Sequence, residues 1–350
     1  FGLYAQDTLS VQTKPKIGLV LSGGGAKGLA HIGVLKVLEE QGVEISYITG
    51  TSMGAIIGGL YASGFNAAQL DSIFKTVDAN ALVQDYVPRM SKSFYERRDD
   101  EIYALQLPFD NFKIGMPQAL SKGMYNYNLL TRLTYHVKEI NDFSKLPIPF
   151  ACIATDIETG KEVVLNKGKL AQSIIASGAF PSLFSPVEID GKILIDGGVV
   201  NNYPVELVRK MGADIVIGVD VQDELKTRKD LGGAMGVLLQ TTNFPMIEQM
   251  QKKRLLTDIY IKPDIKGFNV VSFDLGDQII PRGEEAANEV LNKIRIISSD
   301  YENKKVIANY ISPSDSLLIG NILVDEKQLK YFNEEYVVGK LNIKPFRKVA

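Results

Sequence analysis

The sequence predicts an α/β protein, and three observations carry that expectation. Strand-like apolar runs alternate with helix-like runs along most of the chain. A Gly-x-Ser-x-Gly stretch, Gly50-Thr51-Ser52-Met53-Gly54, stands between a β-branched run over 45–49 and a helix-like run over 55–62. A glycine-rich loop, Gly23-Gly24-Gly25-Ala26-Lys27-Gly28, stands in the same way between the apolar run 17–21 and an amphipathic run over 29–40.

The elements follow in order. Strand 17–21, the glycine loop and helix 29–40 lead into strand 45–49, the serine turn and helix 55–62; Asn66 then caps a helix over 66–76. Residues 77–123 fit neither period. Tyr86, Phe94, Tyr95, Tyr103, Phe109 and Phe112, with Tyr125 and Tyr127 just beyond, interleave there with Arg89, Lys92, Arg97 and Arg98. They suit either a lid that meets lipid or an irregular insertion packed on the core. An amphipathic helix over 128–140 carries His136. Strands are expected at 150–156, 161–165, 186–188, 193–196 and 215–221, with helices at 169–177 and 205–211. Asp190-Gly191 reads as a hairpin turn whose return strand leads to Asp196. Long helices over 231–256 and 283–311 follow. Such alternation places a site at the ends of the strands.

Composition removes several classes of function. A net charge of -2 gives nucleic-acid binding no electrostatic support. Two histidines and one cysteine cannot supply the usual zinc sets, so neither metal nor cofactor is expected. Cys152 lies in an apolar run and reads as a buried strand residue. The segment 45–70 carries no charge and raises the question of a membrane span. Gly50, Gly54, Gly58, Gly59 and Gly64 break it instead into a strand, an elbow and a buried helix. Phe1-Gly2-Leu3-Tyr4-Ala5 reads as the tail of a secretory signal or as disordered leading residues.

A serine held at the head of a helix by a strand-turn-helix elbow is placed for nucleophilic attack, but it needs a base. The glycine loop formally satisfies a dinucleotide fingerprint. That reading fails because no acidic residue closes the second strand, over 45–49, where a ribose contact would lie. An oxyanion hole suits the loop better: N–H groups of Gly24 and Gly25, with Gly23 in the same loop and Met53 after the serine, would face developing negative charge. His31 and His136 both precede Asp196, which excludes the hydrolase order Ser, Asp, His, and each reads as a packed or surface helix residue. A carboxylate acting directly on Ser52 is the leading alternative. Asp196, followed by Gly197-Gly198, is the first candidate, against the reading that it only supports the hairpin; Asp156 competes but its spacing to Gly160 suits a turn.

Ser52 with Asp196, the glycine loop upstream, Ala176-Ser177-Gly178-Ala179-Phe180-Pro181, Phe184-Ser185-Pro186-Val187 and Asp196-Gly197-Gly198-Val199-Val200-Asn201-Asn202-Tyr203-Pro204-Val205 together resemble the patatin-like phospholipase family. The resemblance implies a three-layer α/β sandwich with a central, mostly parallel sheet. It implies a dyad in which Ser52 is the nucleophile and Asp196 the base, with Gly23, Gly24, Gly25 and Met53 at the oxyanion hole. Many relatives carry arginine where this chain has Lys27, which keeps the charge and loses the planar fork. Residues 313–350 resemble the start of a small α+β POTRA module, which in one branch of the family precedes an outer-membrane barrel.

The expected organisation is a signal remnant and linker over 1–15, a hydrolase domain over 16–311 and the partial module over 313–350. The expected activity is phospholipase A-type hydrolysis of acyl esters; an esterase or thioesterase on soluble esters and a noncatalytic lipid-binding module are the alternatives. Expected partners are a phospholipid or other lipid ester, a membrane surface, a second copy of the chain as a homodimer, and a covalent continuation into the barrel. Export to the outer membrane or cell surface completes these expectations.

Overall fold

Five consecutive buried residues, Ile17–Leu21 (β1), run through the middle of an eight-stranded sheet, and an unbroken apolar run is what a strand covered on both faces requires. The computed structural model describes residues 14–78, 81–82, 109–110, 113–114, 121–181, 183–223, 233–299, 317–318 and 348–349. The chain divides into two units, Phe1–Asn309 and Tyr310–Ala350. In the first, β1 is joined by Ile45–Thr51 (β2), Phe150–Asp156 (β3), Glu162–Leu165 (β4), Val187–Ile189 (β5), Lys192–Asp196 (β6), Ile215–Val219 (β7) and Ile259–Ile261 (β8). Bonded neighbours follow the path β8-β7-β1-β2-β3-β6-β5, and β4 also pairs with β3.

The pairings from β8 through β3 are parallel, while β4 and β6 on β3, and β5 on β6, are antiparallel. The sheet is therefore mixed, with four of its seven pairings parallel. Asp190 and Gly191, at φ 52° and 74°, form the tight turn that makes β5 and β6 antiparallel.

Helices cover both faces of the sheet, giving three layers. On one face, Val20 and Val216 pack with Tyr203, Val205, Val208 and Ala213, from the start of helix Val205–Lys210 and its flanks, and with Met250 of helix Gly233–Leu255. On the other face, helix Met53–Ala62 lies so close that a Cβ on Gly58 would touch Ile48, Leu21 and Phe150. Helix Ala67–Thr76 opens with the expected cap: Asn66 accepts from the Gln69 N–H, and Gln69 returns the bond to the Asn66 N–H.

The register on β3 decides where the chemistry lies. Cys152 and Ile153 pair with both β2 and β4, and Ala154 and Thr155 pair with both β4 and β6. A strand has two edges, so β2 and β6 share the edge opposite β4. One is parallel to β3 and the other antiparallel, so their C-terminal ends meet head on. Thr51 lies opposite Ile153 and Asp196 opposite Ala154.

Two expected helices need correction. The helix placed at 128–140 is Met124–Leu133 followed by a separate 3-10 turn, Tyr135–Val137. The Thr134 hydroxyl donates to the Leu130 carbonyl and His136 Nε2 donates to the Ser63 carbonyl, so local and tertiary bonds draw the chain out of the helix. The helix placed at 283–311 begins earlier, as Gly276–Glu289, breaks at Val290 and resumes as Leu291–Ser299; residues 300–311 lie outside the described set. Pro281 is tolerated within it because it sits on the exposed side, while Ile279, Ile280, Gly283, Ala286 and Ala287 face inward. Strand β8 was not foreseen, since three residues are too few to show a period. The uncharged segment 45–70 forms β2, the elbow and helix Met53–Ala62, and among the described residues no helix is long and apolar enough to cross a membrane.

Most of 77–123 lies outside the described residues, apart from fragments such as the antiparallel pair Phe109–Asp110 and Lys113–Ile114. In the second unit, Leu317–Leu318 pairs antiparallel with Lys348–Val349, and the rest of the expected module is likewise outside them.

Helices Ala30–Glu40 and Gly276–Glu289 touch through their backbones: a Cβ on Gly33 would lie 2.0 Å from the Ile280 carbonyl oxygen, and one on Gly283 1.8 Å from that of Ala30. Gly283→Ala should therefore lower the unfolding free energy by about 1–3 kcal/mol. The measurement is the urea midpoint at constant m-value, and an unmoved midpoint would show that the helices separate freely.

Candidate active site

Ser52 sits between the end of β2 and the first residue of helix Met53–Ala62, at φ 54° and ψ -124°, a conformation that non-glycine residues rarely hold. The flanking glycines permit this through close approach rather than through positive φ. A Cβ on Gly50 would meet the Gly54 carbonyl oxygen at 2.4 Å, and one on Gly54 the Leu21 carbonyl oxygen at 2.2 Å. The elbow thus packs against the end of β1 with no room for side chains. The serine Oγ projects beside the N-terminus of a helix, where the dipole favours negative charge.

Asp196 ends β6 and is 3% exposed. Ser52 Oγ donates to its Oδ2 at 2.6 Å, and the Gly198 N–H donates to its Oδ1 at 2.7 Å. The Asp196 backbone is fixed as well, its N–H bonded to the Ala179 carbonyl and its carbonyl accepting the Thr155 hydroxyl. Burial raises its pKa to about 6, against the smaller opposing effect of the bonds from Ser52 and Gly198. A carboxylate with that pKa is ionised at neutral pH and still basic enough to take a proton from a hydroxyl in contact with it.

The glycine loop lies against this pair. A Cβ on Gly23 would come within 2.9 Å of Ser52 Cβ. The Gly23 N–H is already bonded to the Asn202 carbonyl, and Asn202 Nδ2 returns a bond to the Gly23 carbonyl. Gly23 is therefore clamped and its donor is occupied. The N–H groups of Gly24, Gly25 and Met53 make no bond to another described residue, which leaves them as donors for an oxyanion. Gly25 holds φ 57°, and the Ala26 N–H bonds to the Val270 carbonyl, so the loop is anchored on both sides.

The other candidates have structural partners. His31 is fully buried and its Nε2 donates to the Ser22 carbonyl at 2.8 Å; burial lowers its pKa to about 4, so the ring is neutral. His136 donates to Ser63 and meets Phe65 edge-on. Cys152 is buried, and burial pushes its thiol pKa up. Asp156 accepts from the Glu158 N–H and the Thr159 hydroxyl, as a turn residue does. Lys27, buried, pairs with Asp223 at 2.5 Å. Residues without an expected role also shape the site. The Thr51 hydroxyl donates to the Asn201 carbonyl, the Ser177 hydroxyl accepts the Ser52 N–H, and the Ser22 hydroxyl accepts the Val221 N–H. Asn201, Asn202 and Ser177 stand inside the quoted motifs, which was their only signal.

A family model described as patatin-like phospholipase matches residues 19–209, from β1 to the helix after Asp196. The chain belongs to the patatin-like phospholipase family. Similar curated proteins include lysophospholipase NTE1 of Pyricularia oryzae, 26% identical over 327 residues, covering 85% of this chain and 20% of that protein. A patatin-like phospholipase domain-containing protein of Caenorhabditis elegans is 30% identical over 330 residues, covering 84% and 22%. This patatin-like chain spans a fifth to a half of the length of such relatives. Among solved structures, VipD from Legionella pneumophila aligns with TM-score 0.39 and 16% identity over 80% of this chain and 67% of that one.

The buried carboxylate yields two linked predictions. Its folded pKa of about 6 lies above the ordinary 3.8, so the folded state holds an extra proton between those values and stability falls as pH rises across that window. Asp196→Asn, neutral throughout, should exceed the wild type in stability by up to about 3 kcal/mol above pH ~6, and the gain should vanish by pH ~4. Denaturant melts across pH measure this. In the wild type, kcat/KM for an ester should climb through pH ~6 and level off above it, as Asp196 ionises.

Proposed function

We propose that this chain is a serine lipid acyl hydrolase that cleaves acyl esters of phospholipids through the Ser52 and Asp196 dyad. The observation that carries the reading is the 2.6 Å bond from Ser52 Oγ to a buried carboxylate, at an elbow flanked by backbone donors that bond to no other described residue. As Ser52 Oγ attacks the acyl carbon, Asp196 takes its proton. The carbonyl oxygen, now negative, receives hydrogen bonds from Gly24, Gly25 and Met53. Asp196 then gives the proton to the departing alcohol, and a water that it deprotonates attacks the acyl-enzyme, releasing the fatty acid and restoring Ser52.

A lipid substrate is favoured by the family and by the apolar surface next to the catalytic residues. Val270, whose carbonyl anchors the glycine loop, is 39% exposed, Val271 44%, and Val199, three residues after Asp196, 48%. Hydrolysis of vesicle phospholipid faster than of a soluble short-chain ester supports this substrate class; equal rates would favour an esterase on soluble acyl esters. Labelling by a fluorophosphonate separates both from a noncatalytic lipid-binding module. We also propose an exported location, on the signal-like Leu3-Tyr4-Ala5 run; recovery of the native product from the cytosol, unprocessed, would defeat it.

Ser52→Ala and Asp196→Asn should each lower ester turnover by at least about a thousandfold while the protein stays folded. His136→Gln should stay within about threefold of the wild type, because its ring contacts Ser63 and Phe65. A folded His136→Gln protein as inactive as Ser52→Ala would remove the dyad assignment. Gly25→Val should lower kcat by about a hundredfold or more, since Gly25 holds φ 57° and a Cβ there would meet the Val270 carbonyl oxygen at 2.3 Å. Full turnover in that variant would take the loop out of the oxyanion hole.

A further inference from the structure

Ser177, the last residue of helix Leu170–Ser177, is wholly buried where β2 and β6 meet. Its hydroxyl donates to the Ile153 carbonyl at 2.5 Å and accepts the Ser52 N–H at 3.0 Å. Ile153 is the β3 residue opposite the last residue of β2, and the next one, Ala154, lies opposite Asp196. At this junction β2 has turned away into the elbow and β6 has ended. The backbone of Gly197 crosses it so closely that a Cβ would lie 2.2 Å from the Ile153 carbonyl oxygen. A side-chain hydroxyl thus bonds at the place where the ladder along that edge changes from one strand to the other.

We propose that Ser177 is a positioning residue that fixes the backbone of Ser52 in its strained conformation and so aims Oγ at Asp196. The inference rests on the hydrolase reading above. Both the proton and a lone pair of the Ser177 hydroxyl are committed, one to the strand beside Asp196 and one to the nucleophile itself. Packing alone would need only the volume of the side chain. The Ser52 N–H has no other bond among the described residues, so without Ser177 nothing ties that amide to β3.

The test compares the wild type with Ser177→Ala and Ser177→Cys, using Ser52→Ala as the blank. The readouts are the rate of phosphonylation by a fluorophosphonate probe, kcat and KM for a soluble p-nitrophenyl ester, the pH profile and the melting temperature. Ser177→Ala should slow phosphonylation and lower kcat by about ten- to a hundredfold with KM unchanged, and should move the pH midpoint upward, because the Ser52 bond that helps hold the Asp196 pKa down is weakened. Ser177→Cys keeps the volume but bonds weakly, so its rates should fall between the two. It carries the comparison if the alanine protein does not fold. A reactive wild type with a folded variant within about threefold of its rate overturns this inference alone. A wild type inert to both probe and ester overturns the hydrolase reading, and this inference with it.

Discussion

The catalytic arrangement depends on β3 offering one edge to two strands that reach it from opposite directions. With β4 on its far edge, β3 pairs through 150–153 with the parallel β2 and through 154–156 with the antiparallel β6. The C-terminal ends of β2 and β6 therefore meet, and residues 144 apart in sequence come into hydrogen-bonding contact. The constraint is strict. Side chains alternate along a strand, so a one-residue slip of β6 would send the Asp196 carboxylate to the other face of the sheet. The tight Asp190-Gly191 turn guards against it, because a two-residue loop fixes the register of the strands that it joins.

Ser52 is held in a conformation that costs about 1–3 kcal/mol, and such strain persists only where the surroundings over-determine it. The surroundings here are backbones in contact and a set of side-chain bonds, from Ser177 to the Ser52 N–H, from Thr51 to Asn201 and between Asn202 and Gly23. Each is worth only about 1 kcal/mol net, so no single one dominates. Together they join four segments of the chain: the glycine loop, the elbow, the end of helix Leu170–Ser177 and the loop after Asp196. The same loop that carries Asp196 on to Asn202 clamps the glycine loop, which couples base, nucleophile and oxyanion donors.

Burial of Asp196 works against stability and in favour of chemistry. A carboxylate in water is too weak a base to take much of a proton from a hydroxyl. Removing it from solvent raises its proton affinity, while the Gly198 N–H and the Ser52 hydroxyl keep the rise moderate. The balance leaves it ionised at neutral pH. No histidine is needed as an intermediary, and His31, neutral and bonded to Ser22, serves instead to hold the end of β1 against the helix that follows it.

Much of the fold was legible in the sequence because its signals are local. Buried strands read as apolar runs, Asn66 and Gln69 form a cap within one turn, and a strand, Gly-x-Ser-x-Gly and a helix are contiguous. Ser52 and the glycine loop could be singled out on that basis, and Asp196 by the lack of a downstream histidine together with a family resemblance. What the tertiary structure alone decided is how these parts touch: the mixed sheet, the bond between Ser52 and Asp196, the occupied donor of Gly23, and the roles of Ser177 and Asn202. It also decided where helices stop, since a bond from His136 to Ser63 helps draw one helix to an end, and packing against Ala30–Glu40 carries another through Pro281. The physical reason is the same in each case. A bond between residues far apart in sequence, or a backbone pressed on a backbone, leaves no period and no propensity in the residues around it, and exists only once the strands have chosen their edges.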